Sequence, residues 1–156
     1  MSASDTIRIA PPQSTHLDAW ARLRAALWPD GAEEEHRAEV EESLSAVDSV
    51  AFLALTGEEP IGFAEVSLRR DYVNGCVSSP VAFLEGIYVD PSHRRRGIAA
   101  RLVAAAEAWA LEQNCQEFAS DAELTNTASH DMHKQLGFEE TERVVYFRKP
   151  LRASKP

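Results

Sequence analysis

The sequence predicts a mixed α/β (α+β) fold, and three observations carry that prediction. Short apolar or alternating runs such as "VAFLAL", "IGFAEVSL" and "VAFLEGIYV" have strand length. Longer stretches such as "IAARLVAAAEAWAL" have the length and apolar spacing of helices. The first two strand runs are separated only by "TGEEP", a turn composition, so they form a hairpin. With 156 residues the chain has the size of one domain, expected to span 1–156 with a core of about 6–150.

Taken in order, "TIRIA" alternates and reads as the opening strand. Ser14 or Thr15 is placed to cap a helix whose Leu17, Trp20, Leu23 and Leu27 fall near one face, and Trp28-Pro29-Asp30-Gly31 ends it. A second helix runs through "EEEHRAEVEESLSAV", and the hairpin follows. "RRDYVNGCVSSP" has the Asn-Gly, Ser and Pro of an irregular loop. The strand "VAFLEGIYV" stops at Asp90-Pro91, residues 97–112 form a long helix, and "QEFAS" is a strand. "NTASHDMHKQL" is a helix closed by Gly137, and "ERVVYFRK" is the last strand.

Composition narrows the function. The net charge of −9 repels nucleic acid and anionic membranes and suits a cationic partner. No apolar run reaches the roughly 18 residues of a membrane helix. The start "MSASDTIRIAPP" has neither the basic opening nor the apolar stretch of a secretory signal, so a cytoplasmic location is expected. Cys76 and Cys115 have no metal-ligand spacing and read as free thiols, and no metal is expected.

Against this acidic background, Arg94, Arg95 and Arg96 stand together before Gly97. A strand running into such a turn and then a helix presents unpaired backbone N–H groups at the positive end of the helix dipole. Arginines there oppose the dipole unless an anion such as a pyrophosphate is bound, whereas the plainer alternative is a solvated basic helix start. "VDPSHRRRGIAARL" resembles the acyl-coenzyme-A motif of the GNAT N-acetyltransferase superfamily, Arg/Gln-x-x-Gly-x-Gly/Ala, with Arg94, Gly97 and Ala99 in its three places. "NTASHDMHKQLGF" resembles the second motif, matched by Asn126, Ser129, Gly137 and Phe138. The resemblance covers residues 6–149. It implies a largely antiparallel sheet of about six to seven strands flanked by about four helices and splayed between its two central strands. It also implies acetyl-CoA as co-substrate, contacted by Ile87, Tyr88 and Val89 at the strand end, by Arg94, Arg95, Arg96, Gly97, Ile98, Ala99 and Ala100 in the turn, and by Asn126.

The acceptor is suggested by a closer likeness. "LRAALWP", "RRDYVNGCVSSPVAFLEGIYV" and "GFEETERVVYFRK" resemble the aminoglycoside 6′-N-acetyltransferases over nearly the whole chain. By that resemblance Trp28, Tyr72, Glu85, Asp121 and Glu142 contact the drug, and carboxylates suit a polycation with almost no apolar surface. Each residue also has a plainer reading: Trp28 as core, Tyr72 in a simple Asn-Gly turn, Asp121 as a loop cap, Glu142 as solvated. Glu85 lies in an apolar strand, where an unpaired carboxylate is costly. The family further implies a homodimer, with possible exchange of C-terminal strands. Other amine acceptors, or acyl-CoA binding without catalysis, are the rival functions.

The expected chemistry is direct attack of a neutral amine on the thioester. Asp121 takes the proton, and the Val89 N–H stabilises the oxyanion. Many superfamily members have a tyrosine in the second-motif helix to protonate the leaving thiolate, and His133 stands at that place. It either does the same work or is structural, in which case the thiolate leaves unaided.

Overall fold

A computed structural model describes residues 6–152; the expectations for residues 1–5 and 153–156 fall outside it. Five strands form one sheet in the order β1 (Ile7–Ala10), β2 (Ser49–Thr56), β3 (Glu59–Arg69), β4 (Val81–Val89) and β5 (Phe118–Ser120). The helices are α1 (Leu17–Leu27), α2 (Glu33–Ser43), α3 (Ile98–Glu112) and α4 (Thr127–Gln135). β1 to β4 pair antiparallel and β4 to β5 parallel.

Side-chain period dictates which helix covers which face. On one face, Ile98, Leu102, Ala106 and Ala110 recur every fourth residue of α3 and bury against Ala54, Ala64, Val66, Ala82 and Leu84. On the other, Leu17, Trp20 and Ala21 of α1 and Val40 of α2 bury against Leu53, Leu55 and Phe63. Each large side chain so buried contributes about 1.5–3 kcal/mol. Both faces of the central strands are therefore covered, which is why "VAFLAL" and "VAFLEGIYV" read as apolar runs.

Three expectations change. Ser14 and Thr15 do not cap α1; they lie in a short 3₁₀ turn, Ser14–His16, that precedes it and is closed by Gln13 and His16. The second helix stops at Ser43 rather than Val47, because beyond it Leu44 and Val47 are exposed and have no core to face. The sheet has five strands among the described residues, not six or seven. "ERVVYFRK" has strand composition, but residues 142–149 are exposed and carry no ladder. A strand needs a partner backbone as well as suitable side chains.

The expected splay also shifts: rather than between two central strands, the sheet parts between β4 and β5, the last strand among the described residues. Their ladder covers only Ala82↔Phe118, Phe83↔Ala119 and Leu84↔Ser120. Beyond it, β4 continues to Val89 while β5 ends at Ser120. A bulge marks the parting: Val66 pairs with Leu84 and Glu65 with Gly86, leaving Glu85 as the extra residue.

Candidate active site

From Glu85 to Val89 one edge of β4 has no strand partner among the described residues. Asp90 N–H donates to the Ile61 carbonyl at 2.8 Å, so the alternation of an antiparallel ladder turns the Val89 N–H away from β3, toward the gap. Ile87 packs into the core under α3 and Tyr88 into the core under α1, so these residues present mainly backbone to the gap. The chain then turns through Pro91–His93, where the Asp90 carboxylate accepts from Ser92 N–H at 3.1 Å. That bond is the main reason its acidity is enhanced.

The basic turn is built for exposed amides. Arg95 (φ 66°) and Gly97 (φ 74°) are both left-handed, and a Cβ on Gly97 would meet nothing within 4 Å. Glycine is needed there for conformation, not for space. None of the N–H groups from Arg95 to Ala100 donates to a backbone carbonyl among the described residues. Ile98 is buried and anchors the helix, while Arg95, Arg96 and Ala100 are exposed. Arg94 turns back on the strand, donating Nε–H to the Val89 carbonyl at 2.8 Å with its guanidinium 5.3 Å from the Tyr88 ring.

Across the gap, Asn126 caps α4 by accepting Ser129 N–H at 3.1 Å. Asp121 directly follows β5, is exposed, and has no side-chain partner among the described residues, so it does not cap a loop. His133 is held at both nitrogens: Nδ1 lies 2.7 Å from the Ser129 carbonyl and Nε2 2.8 Å from Ser120 Oγ.

The face under α1 holds the remaining candidates. The Trp28 ring covers Gly86 of the bulge and lies 6.0 Å from Phe63. Behind it sits a polar cluster the sequence reading missed. Arg24 donates to Glu65 at 2.6 Å, to His36 Nδ1 at 3.3 Å and to Glu39; Trp20 Nε1–H donates to Glu65 at 3.1 Å. Because a guanidinium only donates, His36 is neutral with its proton on Nε2, which donates to the Trp28 carbonyl at 3.0 Å. Burial raises the Glu65 pKa, outweighing the opposing pull of Arg24 and Trp20. The available signal was Glu65 itself, a carboxylate in the apolar run "IGFAEVSL".

Glu85 is paired rather than lone: Arg69 Nη2 donates to it at 2.8 and 3.0 Å, and Ser67 Oγ also bonds it. A cavity of about 250 Å³ lies between Glu65, Ser67, Glu85, Trp20 and Leu44. Tyr72 is 75% exposed on the 70–80 loop. A Cβ on Gly75 would fall 2.2 Å from Thr141 Oγ1, so the segment carrying exposed Glu142 lies against the Tyr72 loop. Trp28 and Gly86 thus touch, as do the Tyr72 loop and the segment carrying Glu142.

A bulged strand parted from its neighbour, with free amides at a basic helix start beside it, defines an acyltransferase of known kind. Residues 17–138 match the model of the acetyltransferase (GNAT) family, and the chain belongs to that family. It is 56% identical over 138 residues to the aminoglycoside N(6′)-acetyltransferase type 1 of Serratia marcescens, covering 87% of this chain and 94% of that protein. Among solved structures it is similar to the aminoglycoside N-acetyltransferase AAC(6′)-Iy in complex with CoA, with a TM-score of 0.88, 49% identity, and coverage of 92% and 95%. The complex of AAC(6′)-Iy with a bisubstrate analogue, CoA-S-monomethyl-acetylneamine, matches with a TM-score of 0.88 and 48% identity over 94% of this chain and 99% of that one.

Proposed function

We propose that this chain transfers the acetyl group of acetyl-CoA to the 6′-amine of aminoglycosides. The observation that carries the reading is the unpartnered half of β4, which has free amides of a basic turn at one end and the carboxylates Glu85 and Asp121 at the other. The relatives' named activity and the bisubstrate complex support the acceptor.

The phosphates bind the amides of Arg95 to Ala100 with Arg95 and Arg96 alongside, while Arg94 braces the strand end. Ile87, Tyr88 and Val89 offer backbone to the acetyl-pantetheine arm, and Asn126 borders it. The drug lies against Trp28 and Tyr72, its ammonium groups facing Glu85, Asp121 and Glu142. Asp121 removes a proton from the 6′-ammonium, the amine attacks the thioester carbon directly, and the Val89 N–H receives the charge on its oxygen.

The residues act as a single domain in the cytoplasm, consistent with one continuous sheet and two free cysteines. No helix among the described residues is long and apolar enough to cross a membrane. The active form is a homodimer, supported by the exposed apolar run Val144–Phe147.

The test is positional. Kanamycin treated with acetyl-CoA and the enzyme should carry its new amide on the 6′-nitrogen by NMR, with spermidine and peptides left unmodified. Asp121→Asn should lower kcat by at least about 100-fold. Modification on another ring, or an unimpaired variant, overturns the assignment.

A further inference from the structure

The closed end of the β4–β5 gap holds a hydroxyl and imidazole whose pairing the roles above leave unused. Ser120 ends β5 and pairs with Leu84, the last rung before the strands part. Its Oγ is 2.8 Å from His133 Nε2 and 3.4 Å from the Leu84 carbonyl. On the other side of the ring, Nδ1 is 2.7 Å from the Ser129 carbonyl, with Ser129 Oγ at 3.3 Å, and Phe138 meets the ring edge at 5.2 Å. A carbonyl only accepts, so Nδ1 carries the proton; in the neutral ring Nε2 accepts from the Ser120 hydroxyl, whose other acceptor, the Leu84 carbonyl, is farther away at 3.4 Å. Hydroxyl, base and orienting group therefore stand in order, an arrangement that activates a hydroxyl for proton transfer.

Resting on the reading that the acetyl thioester occupies this gap, we propose that Ser120 carries the second proton of the transfer, with His133 acting through it. The first proton has already left the ammonium for Asp121. Attack forms the C–N bond and leaves one proton too many on nitrogen. Leu84 and Val89 are four ladder steps apart, about 13 Å along β4, so that proton reaches Ser120 Oγ through one intervening water as the Ser120 proton moves to His133 Nε2. When the C–S bond breaks, its electron pair leaves with sulfur. His133 then returns its proton to Ser120, and Ser120 hands one through the same water to the thiolate. Amine and thioester become amide and thiol, the pair ends as it began, and the exposed Asp121 releases its proton to solvent. A histidine stands where many family members place tyrosine, and it reaches the gap through a serine.

The experiment compares the full-length enzyme with Ser120→Ala, Ser120→Thr and His133→Phe, using kanamycin as acceptor. Acetyl-CoA is one donor and 4-nitrothiophenyl acetate, whose acidic thiol leaves without protonation, is the other. With acetyl-CoA, kcat should fall about 100-fold in Ser120→Ala and in His133→Phe, with both KM values nearly unchanged, and Ser120→Thr should recover most of it. With the aromatic thioester, wild type and variants should differ by less than about threefold, which a merely structural defect would not produce. Melting curves check folding, and the wild type gives an independent readout: kcat should fall in D₂O, and a kcat insensitive to D₂O overturns the proposal. So does an unimpaired Ser120→Ala, an equal loss with both donors, or an acetylated Ser120 found by mass spectrometry without acceptor. Should the wild type acetylate another amine but not kanamycin, the acceptor assignment falls, and the same comparison made with that amine still decides the carrier role.

Discussion

A Cβ placed on Gly86 falls 2.4 Å from Trp28 Cζ2 and 2.5 Å from Cη2, closer than any real contact. The indole has nowhere to go: the Arg24 guanidinium is 5.0 Å from its ring, His36 stacks at 6.4 Å and Phe63 lies at 6.0 Å. These neighbours are themselves held, because Arg24 cannot leave Glu65 without taking the counter-charge from a largely buried carboxylate, a loss of up to about 3–5 kcal/mol. Gly86→Ala therefore forces Trp28 off the bulge. The strain should cost about 1–3 kcal/mol, visible as a lower melting temperature. If Trp28 forms a wall of the acceptor site, the acceptor KM should rise about tenfold while the acetyl-CoA KM holds. An acceptor KM unchanged in a destabilised variant would mean that Trp28 is only core.

At the scale of elements, the Tyr72 loop is tied to the sheet by the burial of Val73 against Val81 and Phe83 and by one carboxylate. Glu117, just before β5, accepts Val77 N–H at 2.9 Å, Ser78 N–H at 2.8 Å and the Ser78 hydroxyl. The Ser78 hydroxyl is the largest of the causes that lower its pKa. A carboxyl whose folded pKa is depressed adds stability above its unfolded pKa and loses it as pH falls through the folded one. Glu117→Gln should thus melt lower than wild type near neutral pH, with faster amide exchange at Val77 and Ser78. The difference should close as the medium is acidified below the ordinary carboxylate range; a difference constant with pH would remove the charge from the explanation. This latch was not legible in the sequence, since nothing in "CQEFAS" points to a loop some forty residues earlier. Local features were more readable. The apolar runs gave β2, β3 and β4 because those strands are covered on both faces, and Asn126 and Gly137 bracket α4 as capping chemistry requires. The Arg-Gly turn was readable for the same reason, its conformation being written in its own residues. Arg24, His36 and Glu65 were missed because their pairing joins α1, α2 and β3, a relation no single segment contains.

For the whole molecule, the C-terminal run sets the question. Val145 is 74% exposed, Tyr146 83% and Phe147 92%, in a stretch of strand composition without a ladder. Under the proposed homodimer this contiguous apolar surface would be a contact with the second copy. Among the described residues the sheet also ends at β5, a three-residue strand with one open edge. Edges left open are templates for a further strand. A second copy supplying residues 142–149 to the first, and receiving the same in return, would cover both apolar runs by a closed twofold exchange. Such an exchange would also fix Glu142, which now stands exposed beside the Tyr72 loop, so assembly and acceptor binding would be linked. Sedimentation of the wild type should give a dimer at micromolar concentration. Val145→Asp with Phe147→Asp should give a monomer that keeps its helical circular dichroism and its affinity for CoA while the acceptor KM rises. A monomeric wild type would refute the exchange, and a monomeric double variant with unchanged acceptor KM would separate assembly from the site.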